Sequence, residues 1–140
     1  MASSIYNYGK VKILQGDIDF DLPINVALVT SSYTPNIDTE DFYNDVTNEC
    51  TNGSGYTTGG ITLSSTTVIL DTSGDKAVFD AADISWSSSS ITARGAVMYR
   101  NTGTSSSSPL IAYFDFGSDK TSANGTFTIS WNASGILNLA

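Results

Sequence analysis

The sequence predicts an all-β fold, namely an antiparallel β-sandwich or flattened barrel with one or two short helices. Apolar and polar residues alternate with a period of two along Ile91–Tyr99 and Thr126–Trp131, which is typical of half-buried strands. A Ser-rich tip, Asn101–Ser108, separates Ile91–Tyr99 from the apolar segment Leu110–Phe116, as in a β-hairpin. About eight or nine such short segments, separated by turn residues, are the pattern of a sandwich or barrel.

The size and composition of the chain are those of one domain, residues 1–140. A chain of 140 residues with 40% hydrophobic and 11% aromatic residues can bury a substantial core. Only 14% of its residues are charged, against roughly 25% in an average soluble domain. Serine and threonine supply much of the polarity instead, and they favour turns and strands. We therefore expect a single β-rich domain.

Two segments are candidates for the short helices. Apolar residues recur at every third position along Ile5–Leu14, and Gly16 is placed to cap the end of a helix there. The alternation within Lys10–Ile13 also fits a strand, but the helix is favoured. The second candidate is Thr39–Val46, with Thr39 as N-cap and two acidic residues in the first turn.

The remaining apolar segments are predicted strands. Asp17–Leu22 alternates strictly and ends at Pro23, which is tolerated at a strand end. Ile24–Thr30 is a nearly continuous apolar run, as expected for a strand buried on both faces. The other predicted strands are Ile61–Leu70, Ala77–Asp80, Ile84–Ser87 and Ile136–Leu139. The predicted core comprises Val26, Leu28, Ile69, Val78, Trp86, Val97, Ile111, Phe127, Ile129 and Trp131.

The charge distribution argues against nucleic-acid and membrane partners. The formal net charge is −8, and the six basic residues form no cluster that could neutralise phosphates. No apolar run is long enough to span a bilayer, and the N-terminus lacks the basic and apolar regions of a signal peptide. Cys50 is the single cysteine, so no intrachain disulfide is possible. We expect a soluble protein, made in a cytoplasm, whose acidic surface suits a basic patch on a partner.

The residues capable of catalysis or metal binding form no recognisable site. The chain has no histidine, which removes Ser-His-Asp and Cys-His nucleophile systems. Ser73 and Lys76 have the Ser-x-x-Lys spacing of penicillin-recognising enzymes, but they lie in a predicted hairpin turn without the companion motifs. Asp17, Asp19 and Asp21 could hold Ca²⁺ from one strand face, although a solvated polar face is the favoured interpretation.

Other chemistry-bearing residues point the same way. Asp80 with Asp83, and Asp115 with Asp119, could be pairs for glycoside hydrolysis, but nothing fixes their separation. Cys50 has no basic neighbour to lower the pKa of its thiol. The aromatic residues could include a sugar-binding platform, although most are expected in the core or an interface. We expect a protein that is not an enzyme and that needs no metal or cofactor.

Three segments together resemble a family of small virion structural proteins of tailed bacteriophages. They are Val26–Pro35, Ile91–Gly103 and Pro109–Gly117, with Asp80–Trp86 between the first two. The resemblance extends over nearly the whole chain, and no motif in it is catalytic. It implies a particle component. A capsid decoration (cement) protein fits the composition best, a tail, neck or fibre-associated subunit is the alternative, and a carbohydrate-binding host-recognition module is a third possibility.

A decoration protein implies a location on the capsid surface of the virion and the major capsid protein as partner. The resemblance further implies a homo-oligomer, with a trimer as the expected form, because cement proteins commonly occupy local threefold axes. Aromatic anchors in a charged rim are typical of interfaces. The candidate interface residues are Tyr6, Tyr8, Lys10, Lys12, Phe42 and Tyr43. The alternative is that these aromatic residues close the core of the domain itself.

Overall fold

The structure is a computed structural model that describes residues 2–140. Within that range it contains ten strands, one α-helix and two short 3-10 helices. The strands are β1 (Ser4–Ile5), β2 (Ile24–Val29), β3 (Ile61–Thr62), β4 (Thr67–Asp71), β5 (Lys76–Asp80), β6 (Ile84–Ser89), β7 (Thr92–Arg100), β8 (Leu110–Thr121), β9 (Gly125–Ile129) and β10 (Leu137–Leu139). The helix α1 is Asn7–Gln15, and the 3-10 helices are Tyr43–Asp45 and Ser105–Ser107.

The strands form three antiparallel sheets. The central sheet has the order β1-β8-β7-β2-β3, and the two smaller sheets have the orders β10-β5-β4 and β6-β9. Every residue of β2 is buried. Val26 and Leu28 belong to one hydrophobic cluster, and the intervening Ala27 and Val29 belong to another. The prediction of a strand buried on both faces is therefore confirmed.

The larger hydrophobic cluster lies between the central sheet and the two smaller sheets. Phe79 of β5, Trp86 of β6 and Phe127 of β9 pack with Leu28 and Met98 of the central sheet. The rings of Trp86 and Phe127 make an edge contact with centroids 6.0 Å apart. These layers make the fold all-β and sandwich-like, as predicted.

The second face of the central sheet is covered by loops. Its cluster includes Val97 and Tyr99 of β7 and Tyr33 from the long connection between β2 and β3. Ile37 and Val46 of that connection pack against it. The connection between β2 and β3 therefore takes the place of another sheet.

The predicted N-terminal helix is confirmed, and its position explains two glycines. Gly16 ends α1 in the left-handed conformation, with φ of 79°, and its N–H donates to the carbonyl of Ile13. Gly9 lies directly against β8, because a Cβ added there would be 2.4 Å from the carbonyl oxygen of Leu110. Alternation within the helix segment was therefore a weaker signal than its cap.

Two predicted elements are wrong. Asp17–Leu22 is not a strand, since Asp19 accepts the N–H of Asp21 (2.9 Å) through its side chain and turns the backbone. Thr39–Val46 is not a helix beyond the 3-10 turn Tyr43–Asp45. The backbone of this segment bonds to another part of the chain and not to itself as in a helix. The N–H of Tyr43 donates to the carbonyl of Ser108 (2.9 Å), just before the start of β8.

The predicted strand Ile61–Leu70 is divided into β3 and β4, which belong to different sheets. Eight of the ten predicted core residues are buried, and the other two are Ile69 and Trp131. Ile69 is more than half exposed because β4 is the edge strand of its sheet. Trp131 is half-buried, and its indole N–H donates to the carbonyl of Ala82 (3.1 Å).

We expect Gly60→Ala to destabilise the protein strongly. A Cβ at Gly60 would lie 1.8 Å from the carbonyl oxygen of Val26, and the residue has φ of +76°. The loss should be roughly 4 kcal/mol, or folding should fail. Gly103→Ala is the control, since Gly103 has φ of +91° with nothing within 4 Å, and its loss should be about 1 kcal/mol. Urea unfolding of both variants gives the comparison, and equal losses would contradict it.

Candidate interaction surface

The candidate nucleophiles lie in structural positions. Cys50 is buried, its Sγ donates to the carbonyl of Thr92 (3.4 Å), and burial beside Glu49 raises the pKa of its thiol to about 11. Ser73 lies in the β4–β5 turn, where its N–H donates to the Asp71 carboxylate (3.1 Å). Lys76 pairs with the same carboxylate at 3.9 Å. The Ser-x-x-Lys spacing belongs to a hairpin turn.

Two of the candidate carboxylates, Asp83 and Asp115, accept hydrogen bonds from backbone N–H groups. Asp115 accepts the N–H of Gly117 (2.9 Å) and pairs with Arg94 (3.0 Å), and these two contacts lower the pKa of its carboxyl. Asp83 accepts the N–H of Trp131 (2.9 Å). Within residues 2–140, no three His, Cys, Asp or Glu side chains form a group that could hold a metal ion.

The six candidate interface residues have different environments. Tyr6 is fully buried in the second face of the central sheet, so it does not belong to the exposed surface of the chain. Its hydroxyl bonds to that of Tyr33 (2.6 Å), which donates to Glu40 (2.8 Å). Tyr6 is therefore a core residue of the domain, which is the alternative interpretation of these aromatic residues. Lys10 is exposed, and its ammonium donates to Asn7 (2.9 Å).

Three of the other candidates are neighbours in space. The half-buried rings of Tyr8 and Phe42 meet edge to face with centroids 5.0 Å apart. The ammonium of Lys12 lies 5.3 Å from the centre of the Tyr8 ring and also pairs with Asp17 (2.9 Å). The structure therefore brings the two predicted segments together, although their role at an interface stays a prediction.

Tyr43 belongs to a network centred on Glu49, which sequence reasoning missed. The Tyr43 ring stacks on Tyr99 at 4.1 Å between centroids, and its hydroxyl donates to Glu49 Oε2. Glu49 Oε1 accepts the hydroxyl of Tyr56 (2.6 Å) and the N–H of Gly59 (2.7 Å). Glu49 and Tyr56 are separated in sequence by a polar loop, so no periodic pattern in the sequence predicts this hydrogen bond.

The network ties the loops to the central sheet. Tyr99 of β7 donates its hydroxyl to the carbonyl of Gly59 (2.7 Å), and Leu28 of β2 donates its N–H to the Tyr56 hydroxyl (3.0 Å). Burial and the Glu49 carboxylate raise the pKa of Tyr43 and Tyr56, and the same causes raise the pKa of Tyr99 to about 12. This arrangement is a structural clamp.

An apolar groove with a volume of about 460 Å³ lies between α1 and the β10-β5-β4 sheet. Hereafter it is called the apolar groove. It is lined by Ile5, Lys10, Ile13, Leu14, Ile18, Phe20, Val68, Ala77, Val78, Phe79, Leu137, Asn138 and Leu139. Leu14 is 78% exposed and Leu139 is 62% exposed. Large apolar side chains grouped in this way mark interaction sites.

The register of the small sheet builds one wall of the apolar groove. Val68, Phe79 and Leu137 are paired across β4, β5 and β10, and so they share one face of the sheet. Leu70, Ala77 and Leu139 form the next row on the same face. All of these side chains except Leu70 line the groove.

The rim of the apolar groove is acidic on one side. Asp17, Asp19 and Asp21 are exposed and alternate with Ile18 and Phe20, which line the groove. Lys12 neutralises only Asp17 among these three carboxylates by direct pairing. The surface therefore suits a partner with apolar side chains flanked by basic ones.

The chain matches no protein-family model, and no curated protein or solved structure is significantly similar to it. Within residues 2–140, no helix is both long enough and apolar enough to cross a membrane.

We expect Glu49→Ala to destabilise the protein by about 3 kcal/mol, because the hydroxyls of Tyr43 and Tyr56 and the N–H of Gly59 lose their carboxylate acceptor. Glu49→Gln keeps one acceptor oxygen and should lose less. Asp119→Ala, at an exposed carboxylate, is the control and should change stability by no more than about 0.5 kcal/mol. Urea unfolding measures all three. A loss for Glu49→Ala no larger than that for Asp119→Ala would exclude the clamp.

The tyrosines predict loss of stability at alkaline pH. Tyr43, Tyr56 and Tyr99 have raised pKa values in the folded protein, so the unfolded chain releases these protons first. Their contribution is complete below a pH of about 10, the pKa of an unperturbed tyrosine, and it is lost as the pH rises further. We expect absorbance at 295 nm and circular dichroism to change together above that pH. Tyrosinate formation complete by pH 11 with unchanged circular dichroism would contradict the prediction.

Proposed function

We propose that this protein is a non-catalytic structural subunit of a tailed-bacteriophage virion, and that it binds the outer capsid surface as a decoration protein. Its partner is the major capsid protein, and its contact surface is the apolar groove. One observation carries the docking role, namely the exposure of Leu14, Val68 and Leu139 around a single concave site.

The apolar groove supports a protein partner for two reasons. Burying its side chains releases about 25 cal/mol for each Å² of apolar surface. The exposed Asp19 and Asp21 beside the lining residues give the site a direction, because a basic flank on the partner would be attracted to that side. The polar side chains of the Glu49 network bind the loops of the domain itself. The apolar groove is therefore the surface that we assign to contact with a partner.

The resemblance supports the virion, and the composition supports the head. An acidic, Ser- and Thr-rich β domain of 140 residues is the composition expected of a decoration protein, as the resemblance implies. A neck, tail or fibre subunit would use the same surface at a lower copy number. The host-recognition alternative has less support, because every aromatic side chain within residues 2–140 is buried or half-buried and a sugar platform needs an open ring.

The genetic test is deletion of this gene from the phage that carries it, with quantitative mass spectrometry of purified virions. We expect hundreds of copies in each wild-type particle, and deleted particles that break under heat or osmotic shock. Deleted particles as resistant as the wild type would end the decoration role. A copy number near a dozen would move the protein to the neck or tail.

The surface test uses two lysine substitutions in α1. Leu14→Lys places a charge in the apolar groove and should weaken binding to purified deleted particles by at least about tenfold. Val11→Lys is the matched control, because Val11 is 48% exposed on the same helix and does not line the groove. Equal binding by both variants would show that the groove is not the contact surface.

A further inference from the structure

Strand β4 has one free edge. Among residues 2–140, its only strand partner is β5. Its middle residues Val68, Ile69 and Leu70 are 57%, 54% and 76% exposed, so side chains on both of its faces are open. Natural edge strands are usually blocked by a lysine, a proline or a bulge. The sequence Thr-Val-Ile-Leu-Asp has neither residue type, and its pairing with β5 is regular.

We infer that β4 pairs with β4 of a second copy of this chain, in antiparallel orientation, about a twofold axis through Ile69. In this register Ile69 lies opposite Ile69 of the second copy, and Val68 lies opposite Leu70. All five residues of each strand are then paired. Paired residues share a face, so the apolar sheet face that carries Val68 and Leu70 continues from one copy into the other.

The charges of the strand are compatible with this pairing. Thr67 lies opposite Asp71 of the second copy, so no two carboxylates are directly opposite each other. Thr67 also pairs with Asp80 within its own sheet, and Asp71 pairs with Lys76. The row across the dimer therefore reads Asp80, Thr67, then Asp71 and Lys76 of the second copy, with the two carboxylates separated by a strand.

The size and net charge of the contact set its strength. Five residues from each copy are few beside the roughly 20–30 of a standard interface, so a dissociation constant in the micromolar range is expected. Each copy carries a net charge of −8, and the copies repel each other at long range. Salt screens this repulsion. Dimerisation should therefore strengthen when sodium chloride is added.

The twofold contact uses the same surface on both copies, so it closes on itself and cannot build a fibre. It also cannot close a trimer, which needs two different surfaces. The paired sheets place the two apolar grooves on the same side. Binding of the dimer to a capsid rests on the proposed function. In that case the dimer binds the capsid at two sites and gains avidity.

The first test is sedimentation equilibrium at hundreds of micromolar protein, with and without added salt. We expect the wild type to dimerise. Ile69→Lys places two lysines opposite each other and should raise the dissociation constant by about 100-fold or more. Val11→Lys is the control, equally exposed and away from β4, and should dimerise like the wild type. Circular dichroism of each variant checks folding, which the exposure of Ile69 should preserve.

The second test is cross-linking with a short bismaleimide, with Cys50 retained because it is buried. Two chains of the Ile69→Cys variant should cross-link to each other through residue 69. In a mixture of the Val68→Cys and Leu70→Cys variants, a chain of one variant should cross-link to a chain of the other. A wild type that stays monomeric, or a dimer that survives Ile69→Lys, would overturn the inference. A monomer that still binds capsids would contradict the β4 dimer and support the proposed function. A β4 dimer that does not bind capsids would support the dimer and contradict the proposed function.

Discussion

The carboxylate of Glu49 accepts hydrogen bonds from Tyr43, Tyr56 and Gly59, three positions in the connection between β2 and β3. Tyr99 then joins the Gly59 carbonyl to the central sheet. A carboxylate with several donors is a strong acceptor, and each charge-assisted bond is worth about 1.5–3 kcal/mol. This one side chain lets a connection rich in Gly, Thr and Ser replace a packed sheet. The buried second face of the central sheet depends on it.

The two faces of the central sheet are completed by different means, and this difference explains where the chain is open. The second face is closed by aromatic rings and by the bonds of Tyr33 to Glu40 and of Tyr43 to Glu49 within the loops. The first face is closed by two small sheets, which leave different numbers of large apolar side chains exposed. Trp86 and Phe127 of the β6-β9 sheet are inside the core. The β10-β5-β4 sheet contributes Phe79 to this core, while Leu70 and Leu139 remain exposed.

The parts of the fold that the sequence predicted are those set by local pattern. The period of two in β9, the apolar run of β2 and the glycine after α1 were each sufficient. Strand β7 was placed correctly, but the prediction that it is half-buried is wrong, because Gly95–Tyr99 are buried on both faces in the middle of the central sheet. The failures occurred where a side chain bonds to the backbone. Asp19 turns a segment whose alternation resembles a strand, and pairing with the start of β8 prevents the helix expected after Thr39.

The candidate site was predictable only in part, for a related reason. Tyr8, Phe42 and Lys12 were identified as surface candidates, and the structure brings them together. Tyr6 was assigned to the same surface although it is buried, because a single sequence does not show which face of a short helix meets the sheet. The apolar groove depends on pairing between distant strands, since Val68, Phe79 and Leu137 share a row only through the register. No local pattern contains that information.

The β10-β5-β4 sheet also carries the exposed large apolar side chains Val68, Ile69, Leu70 and Leu139. Small sheets need a packed face to be stable in water. Strand β10 has three residues, and β4 contributes exposed side chains on both faces. Elements with few buried apolar contacts open at a lower free-energy cost than the core. A partner that covers the apolar groove or the edge of β4 would therefore stabilise this sheet as it binds. Binding and local ordering are then one event, and the affinity of the surface includes the cost of holding β4, β5 and β10 together.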